Sequence, residues 1–323
     1  MIRTLLTALA VTTCTLASAG PAFAQWPERP VTIVVPSGAG GGTDQTARML
    51  SERLQKHFGQ PFNVVNQGQG GGVVGLSSLK NAKPDGYTLG VIYNFAHYAP
   101  MGQADLNVAD FTPIAQYNFD PAGFQVRKDN PWQDISQALE AIKSAPGDYV
   151  VACGGGCGGS WPMAVATLMK QYGIDVSKVR FVSGQGAAAA LQDLAAGGVD
   201  VVPSSLPEAA PLMQAGHIRS LVVMSSEKLA AFPDVPTLKE ALDMDIELGA
   251  WRGMVAPQDL PAPIATELEA ALQEIVNDES WRQQMTQRGF GIRWRDAQAF
   301  ESFMKKEQQS VRETLESVGF VKQ

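Results

Sequence analysis

Runs of β-branched residues alternate with stretches of helical periodicity between residues 31 and 93. Val31–Val35 is one such run, and the apolar positions of residues 47–58 recur every three or four residues, as on one face of a helix. Further strands are predicted at residues 63–65 and 87–93, with a short helix between them. Because a parallel strand pair needs a crossover connection, usually a helix, this alternation favours a parallel α/β sheet.

The same alternation begins again near Phe124 and continues to about residue 255, after which only helices are predicted. The chain has 323 residues, more than the roughly 250–300 residues at which a single core stops growing. We therefore predict two α/β units, each with a mostly parallel sheet flanked by helices. The helical tail over residues 263–317 is expected to pack back on the first unit.

The charge balance excludes two classes of partner. Lys and Arg number 25 against 32 Asp and Glu, which gives a formal net charge of −7. A protein that binds nucleic acid or an anionic membrane surface carries a basic patch, so neither partner is expected here. A small anion remains compatible with an acidic chain, because backbone amides and helix N-termini bind anions without Lys or Arg.

The first 24 residues have the organisation of a secretory signal peptide. Arg3 precedes an apolar run over residues 5–19, and Ala22-Phe23-Ala24 is an A-x-A cleavage site. The run is shorter than the stretch of about 20 apolar residues that spans a membrane. We predict cleavage after Ala24 and export of a soluble protein to the periplasm. The alternative is a buried N-terminal helix.

Two cysteines remain after that cleavage, Cys153 and Cys157, and both lie in a glycine-rich loop. An oxidising compartment allows them to pair, whereas a glycine loop does not fix the separation of their Cα atoms. A disulfide and two free thiols are therefore both open. A structural zinc site needs four ligands, and this loop has no nearby His or carboxylate, so no metal is expected.

Three glycine-rich segments, residues 37–43, 68–72 and 154–160, each follow a predicted strand and precede a predicted helix. In α/β folds ligands bind at the carboxyl ends of the strands, and glycine lets backbone N–H groups approach a ligand closely. The helix N-termini add a partial positive charge. Any one segment alone is compatible with an ordinary turn, but the three together favour a carboxylate or phosphate ligand.

Signals for a cofactor or for catalysis are weak. Residues 70–75 and 154–159 both match G-x-G-x-x-G, but the first lacks an acidic residue about 20 positions later. The second is followed by Asp175, after a predicted helix rather than a strand. None of the three histidines lies in an H-E-x-x-H motif, and no G-x-S-x-G elbow occurs. We predict a binding protein without catalytic residues or cofactor; the alternative is an exported α/β hydrolase-like enzyme.

Six short segments follow one another in a characteristic order. They are Trp26–Pro30, Val34–Asp44, Asn66–Gly72, Pro84–Leu89, Asp234–Thr237 and Trp251–Gly253. In this order and spacing the chain resembles the substrate-binding receptors of tripartite tricarboxylate transporters, the Bug receptors. The resemblance implies a type II-like, two-lobed periplasmic binding protein that acts as a monomer and closes on a small mono-, di- or tricarboxylate. It would deliver this ligand to the permease subunits of a membrane transporter. A receptor that hands its ligand to a membrane signalling kinase would have the same sequence features.

The resemblance also implies how the chain divides. The first lobe comprises residues 25–124 and 251–323, the second lobe comprises residues 125–250, and the ligand cleft lies between them. The hinge passes through residues 124–127 and 250–253. The ligand-binding residues implied in the first lobe are Ser37, Gly38, Gly41, Thr43, Gln67, Gly70, Tyr93, Asn94 and Phe95. In the second lobe they are Gly158, Ser160, Trp161, Gly184, Gln185, Ala187, Ser204 and Ser205, and Arg252 lies at the hinge.

Two features depart from the family pattern. Trp161-Pro162 stands where many relatives have an acidic residue or serine followed by histidine, and the two cysteines that flank residues 154–156 are not part of the pattern. Both changes make the second-lobe side of the cleft more apolar, which disfavours a highly charged tricarboxylate. We expect a ligand with one carboxylate and a less polar body, including an aromatic one, against Trp161. The alternative is that Trp161 only packs beneath its loop.

Overall fold

The computed structural model describes residues 26–93, 95–154, 156–317 and 321, and it shows two α/β lobes. The predicted signal peptide lies outside the described residues. The first lobe begins with β1 (Val31–Val35), α1 (Gly42–Phe58), β2 (Phe62–Asn66), α2 (Val73–Lys80), β3 (Thr88–Ile92) and β4 (Phe111–Pro121). The second lobe contains β5 (Gly123–Arg127), α3 (Ile135–Ser144), β6 (Val150–Ala152), α4 (Ser160–Gln171), β7 (Arg180–Val182), α5 (Ala187–Ala196), β8 (Val202–Ser204), α6 (Leu206–Gln214), β9 (Ile218–Val223) and α7 (Leu238–Leu242). The chain returns to the first lobe with β10 (Gly249–Pro257), α8 (Ala262–Asn277), α9 (Glu279–Gln287), β11 (Ile292–Arg295) and α10 (Ala297–Ser317).

The first lobe is built on a six-stranded sheet with the strand order β11-β4-β10-β3-β1-β2. β1 pairs in parallel with both β2 and β3, so that Ile33 lies opposite Val64 and Leu89. β10 is antiparallel to β3 and to β4, and β11 is antiparallel to β4. The strands β1, β2 and β3 therefore share one direction, as the alternation of strands and helices predicts. β4 has this direction too, and β10 and β11 run against it.

The second lobe repeats this arrangement. β5 lies between β8 and β9 and is antiparallel to both. β6 and β7 form a parallel pair, which a parallel bridge between Val151 and Val201 joins to the beginning of β8. The resulting order, β7-β6-β8-β5-β9, matches the order β2-β1-β3-β10-β4 of the first lobe. In each lobe one of these five strands is antiparallel to its neighbours, namely β10 in the first lobe and β5 in the second. Each of these two strands is the first strand after the chain enters its lobe from the other one.

The chain crosses between the lobes at two adjacent points. β4 ends at Pro121 and β5 begins at Gly123, and on the return β10 begins at Gly249 directly opposite Pro121. The Ala122 N–H donates to the Leu248 carbonyl at 2.8 Å, so the two crossing segments lie side by side. The lobe boundaries and hinge residues implied by the sequence are close to these crossings and stay predictions.

Two strands differ from what the hydrophobic pattern predicts. β4 was not predicted, although apolar and polar residues alternate over residues 115–120. Its polar positions are buried as well as its apolar ones: Gln116 and Asn118 are 0% exposed and Asp120 is 1% exposed. β11 lies in the region predicted to contain only helices, and that prediction is wrong there. Its four residues are all half-buried. Ile292 and Trp294 alternate with Arg293 and Arg295, but a run of four residues is too short to distinguish a strand from a helix by this pattern.

Helix α10 packs against the first lobe, which confirms the prediction for the helical tail. Phe300 on this helix is fully buried, and its ring lies 5.6 Å from that of Trp251 in an edge-to-face arrangement. Phe95 and Met304 belong to the same apolar cluster. Within the described ranges, no helix is long and apolar enough to cross a membrane.

Glu307 on α10 should make stability depend on pH. Burial raises the pKa of this carboxyl to about 7, although Trp251 and Arg295 favour the charged form and oppose the rise. Between the ordinary pKa of a glutamate and pH 7, the folded protein therefore holds a proton that the unfolded chain has lost. The free energy of unfolding should fall by about 1–3 kcal/mol as the pH rises through this range. Urea unfolding should show that Glu307→Gln lacks this part of the pH dependence.

Glu313→Gln is the matched control, because Glu313 lies on the exposed side of the same helix. This variant should keep the wild-type pH profile. A wild-type profile for Glu307→Gln as well would contradict the prediction.

Candidate functional site

A cleft that is open to solvent at its mouth lies between the lobes. The β1–α1 loop forms its first-lobe wall, and the loops that precede α4 and α5 form its second-lobe wall. The N-termini of α1, α4 and α5 therefore border the same space. Strand-to-helix loops at the carboxyl ends of strands are where α/β folds place their ligands.

Asp44 holds the β1–α1 loop in place. Its carboxylate accepts the Gly40 N–H at 2.9 Å, the Asn66 amide at 3.0 Å and the Arg48 guanidinium at 2.9 Å. Burial opposes the charge, but these three donors more than offset it and lower the pKa of Asp44. The loop thus presents a fixed backbone to the cleft.

Tyr93 is the residue that follows β3, and it lines the cleft. Burial raises the pKa of its phenol to about 12, so the group stays protonated at neutral pH. The hydroxyl donates to the Pro36 carbonyl at 2.8 Å. Tyr93 therefore supports the loop from behind while its ring lines the cleft.

Arg252 is a buried cation beneath the same loop, with 2% of its surface exposed. Its Nε donates to Thr43 Oγ1 at 3.0 Å, and its Nη1 donates to Asn118 and Asp120 on β4. Burial alone would lower the pKa of Arg252, but the carboxylates of Asp120 and Glu208 offset this and raise it. The guanidinium stays charged and joins β10, β4 and α1.

Glu208 on α6 makes a contact that reaches from the second lobe to the first. Its Oε1 accepts the Gly42 N–H of α1 at 2.7 Å, and its Oε2 accepts the Ser205 hydroxyl at 3.0 Å. One carboxylate thus completes the capping box of α6 and also accepts a hydrogen bond from the first amide N–H of α1. Glu208 is not among the residues that the sequence implies. The S-x-x-E spacing of Ser205 and Glu208 is a capping-box signal, but it contains no indication of the contact across the cleft.

Cys153 and Cys157 are joined by a disulfide, and their Cα atoms are 4.9 Å apart. The ring that it closes forms part of the cleft wall through Cys153 and Gly156. Next to the ring, Gly158 lies against the first lobe, where a Cβ would come within 2.4 Å of Met101 Sδ. Only a residue without a side chain fits at this contact between the lobes.

Two residues with buried hydroxyls line the cleft from opposite lobes. Ser37 lies in the β1–α1 loop and Ser160 at the first position of α4, and both line the cleft. Neither Oγ atom has a hydrogen-bond partner within the part of the chain that the structure describes. A buried polar group without a partner costs about 1–3 kcal/mol, so both hydroxyls are suited to contact a ligand.

The cleft brings together most of the residues that the sequence implies as ligand-binding. Those in its lining are Ser37, Gly38, Gly41, Thr43, Tyr93, Ser160, Trp161, Gly184, Gln185, Ala187 and Arg252. Asn94 lies outside the described residues. Those not in the lining are Gln67, Gly70, Phe95, Gly158, Ser204 and Ser205. Phe95 packs in the core with its ring 6.4 Å from that of Trp251, and the Ser204 N–H donates to Gln125 at 3.1 Å. Contact of any of these residues with a ligand stays a prediction.

Trp161 lines the cleft and also packs against the apolar core of the second lobe. Its position therefore allows ligand contact in addition to packing, and contact with a ligand stays a prediction. Lining residues that the sequence did not indicate include Pro36, His97 and Glu208. No group of three or more His, Cys, Asp or Glu side chains among the described residues is arranged to hold a metal ion.

Two lobes with the same strand order, two adjacent crossings and a cleft bordered by helix N-termini define a two-lobed periplasmic binding protein. Residues 46–320 match the family described as the tripartite tricarboxylate transporter family receptor, and the chain belongs to this family. The resemblance noted in the sequence is confirmed. This family and this fold are those of solute-binding receptors rather than of enzymes.

Individual relatives agree with this assignment. A UPF0065 protein in the TAR-I ttuE-ttuC' intergenic region of Agrobacterium vitis is 31% identical over 258 residues, which cover 78% of this chain and 73% of that protein. The periplasmic binding protein BugD is 27% identical with a TM-score of 0.83, over 92% of this chain and 100% of that one. MatC from Rhodopseudomonas palustris, with bound malate, is 30% identical with a TM-score of 0.80, over 90% of this chain and 100% of that one.

The pair formed by Arg252 and Asp120 should be essential for stability. Arg252→Met leaves the Asp120 carboxylate buried without its partner, which should lower the free energy of unfolding by about 3–5 kcal/mol. The double variant Arg252→Met/Asp120→Asn should recover part of this loss, because it also removes the buried charge of Asp120. Urea unfolding measures both effects.

Arg312→Met serves as the matched control. Arg312 pairs with Glu316 at 3.0 Å, but on the exposed surface of α10, where ion pairs contribute about 0–1 kcal/mol. If Arg252→Met destabilised the protein no more than Arg312→Met, the buried pair would not have the role assigned to it.

Proposed function

We propose that this protein is a periplasmic receptor that captures a small organic acid between its lobes and delivers it to the permease subunits of a membrane transporter. The observation that carries the proposal is the pair of buried hydroxyls of Ser37 and Ser160, which line one cleft from opposite lobes without a partner among the described residues. A carboxylate has two oxygens that accept hydrogen bonds. One ligand group can therefore accept from both lobes and hold them together.

The backbone supplies the positive potential that an anion needs. α4 and α5 begin at the cleft with Gly159 and Gly186 as their N-caps, and no side chain of the described residues caps either helix. Amides in the first turn of a helix lack intrahelical partners, and the helix dipole adds to their effect. A carboxylate is therefore stabilised on the second-lobe side of the cleft without a lysine.

The relatives support the class of ligand and of partner. MatC holds malate, which is a small organic acid. The family is named for transporters of tricarboxylates and for the receptors that serve them. These facts support small carboxylates as ligands and membrane transporter subunits as partners of this chain.

Closure of the lobes is expected to bend the chain near its two crossings. Segments 124–127 and 250–253 form the proposed hinge, and they divide the chain into a first lobe (25–124 and 251–323) and a second lobe (125–250). A ligand that contacts both walls binds the closed form more tightly and shifts the population toward it. The proposal includes action as a monomer and export with cleavage after Ala24.

A thermal-shift screen of the mature protein against mono-, di- and tricarboxylates tests the proposal. A ligand at about 100 times its dissociation constant should stabilise the protein by about 2.7 kcal/mol. Ser160→Ala should lower the affinity for the best-binding ligand by about tenfold or more, because a hydrogen bond to a charged group contributes about 1.5–3 kcal/mol. Titration calorimetry measures this loss.

Ser177→Ala is the control, since Ser177 is exposed and donates to Asp175 on the second lobe, outside the cleft lining. It should leave the affinity unchanged. If no organic acid raised the melting temperature, the proposed function would be wrong.

Trp161 should contribute to the binding of ligands with an aromatic body. Trp161→Ala should weaken the binding of benzoate by about two- to tenfold, the range expected for the loss of one aromatic contact. Trp161→Phe keeps a ring on the same core and should retain most of the affinity. Equal affinities for benzoate in the wild type and in Trp161→Ala would leave Trp161 with a packing role only.

A further inference from the structure

Glu208 places a carboxylate in the cleft at the point where α1 begins. Its Oε1 lies 2.7 Å from the Gly42 nitrogen, and its other oxygen is held by Ser205. A Cβ on Gly42 would lie 2.5 Å from Arg252 Nη2 and 3.3 Å from Glu208 Oε1, so no space is left between these groups. The N-terminus of α1 is thus already occupied by an anion that belongs to the protein.

The charges around the cleft are not balanced. Among the described residues that line the cleft, Glu208 is the acidic residue and Arg252 is the lysine or arginine. Arg252 is already paired with the buried Asp120, so the two carboxylates and one guanidinium together carry a net charge of −1. A ligand group placed beside Glu208 therefore meets a carboxylate that the neighbouring cation does not fully neutralise.

The second-lobe side of the cleft has the opposite character. No side chain of the described residues caps α4 or α5, and the buried Ser160 hydroxyl lies at the beginning of α4. One carboxylate of a ligand is stabilised there. A second carboxylate turned toward α1 would face Glu208, and like charges brought together at a binding interface are strongly unfavourable.

We propose that Glu208 is a specificity-determining residue, which restricts the cleft to ligands with a single carboxylate and a neutral or hydrogen-bond-donating group at the other end. The inference rests on the function proposed above and narrows it from organic acids in general to monocarboxylates. Glu208 acts by exclusion, because its charge weakens the binding of a dicarboxylate and does not strengthen the binding of a monocarboxylate.

Ligand pairs that differ only in the second charge test the inference. Such pairs are succinate and succinamate, adipate and adipamate, and terephthalate and 4-carbamoylbenzoate. In the pair that binds best, titration calorimetry should show that the wild type prefers the monoamide by at least about tenfold. Glu208→Gln should reduce this preference by at least about tenfold, since glutamine keeps the size of Glu208 and its capping role but not its charge.

Glu240→Gln is the matched control. Glu240 occupies the same capping-box position in α7, where it accepts the Thr237 N–H at 3.0 Å, but it does not line the cleft. Its replacement removes one negative charge from the second lobe in the same structural setting. This variant should keep the wild-type preference.

Two results would overturn the inference while leaving the receptor function standing. One is a wild type that binds the dicarboxylate as tightly as its monoamide, a result that does not depend on the folding of any variant. The other is an unchanged preference in Glu208→Gln. If the wild type bound none of these acids, nor any acid in the wider screen, the proposed function would fail and the inference with it.

Discussion

The buried guanidinium of Arg252 holds together the elements on which the cleft depends. Arg252 comes from β10, the strand that returns from the second lobe, and it contacts Asp120 on β4, the strand that leads there. It also donates to the Thr43 hydroxyl in the first turn of α1. Because a buried cation is stable only among such partners, this one network fixes both crossings and the helix end that borders the cleft.

In the proposed function an acidic protein binds an acid, so the positive potential at the site must have a source other than the net charge. Here that potential comes from helix N-termini, and glycine lets the two lobes bring their backbones close together. A Cβ on Gly71 of the first lobe would lie 3.4 Å from the Gly156 nitrogen of the second. Side chains are then free to select among anions, and this is the role proposed for Glu208, whose carboxylate accepts the first N–H of α1.

Hydrophobic periodicity predicted the elements whose apolar residues recur regularly along the chain. β1, for example, lies at the residues expected. β4 and β11 were missed for different reasons: one face of β4 has buried polar side chains, and β11 is only four residues long. Asn118 and Asp120 are buried because Arg252 needs partners, and this cause lies in the tertiary structure rather than in any local window. The position of Glu208 in the cleft was missed for a similar reason, since its partner Gly42 is 166 residues away along the chain.

β10 lies between β3 and β4 in the first sheet, although the whole second lobe separates it from β4 in the sequence. During synthesis the first sheet therefore lacks an interior strand until the second lobe has been made, and the facing edges of β3 and β4 remain unpaired. Pairings between distant segments form slowly. A first lobe that is completed so late delays folding of the chain, which is compatible with the export proposed for it.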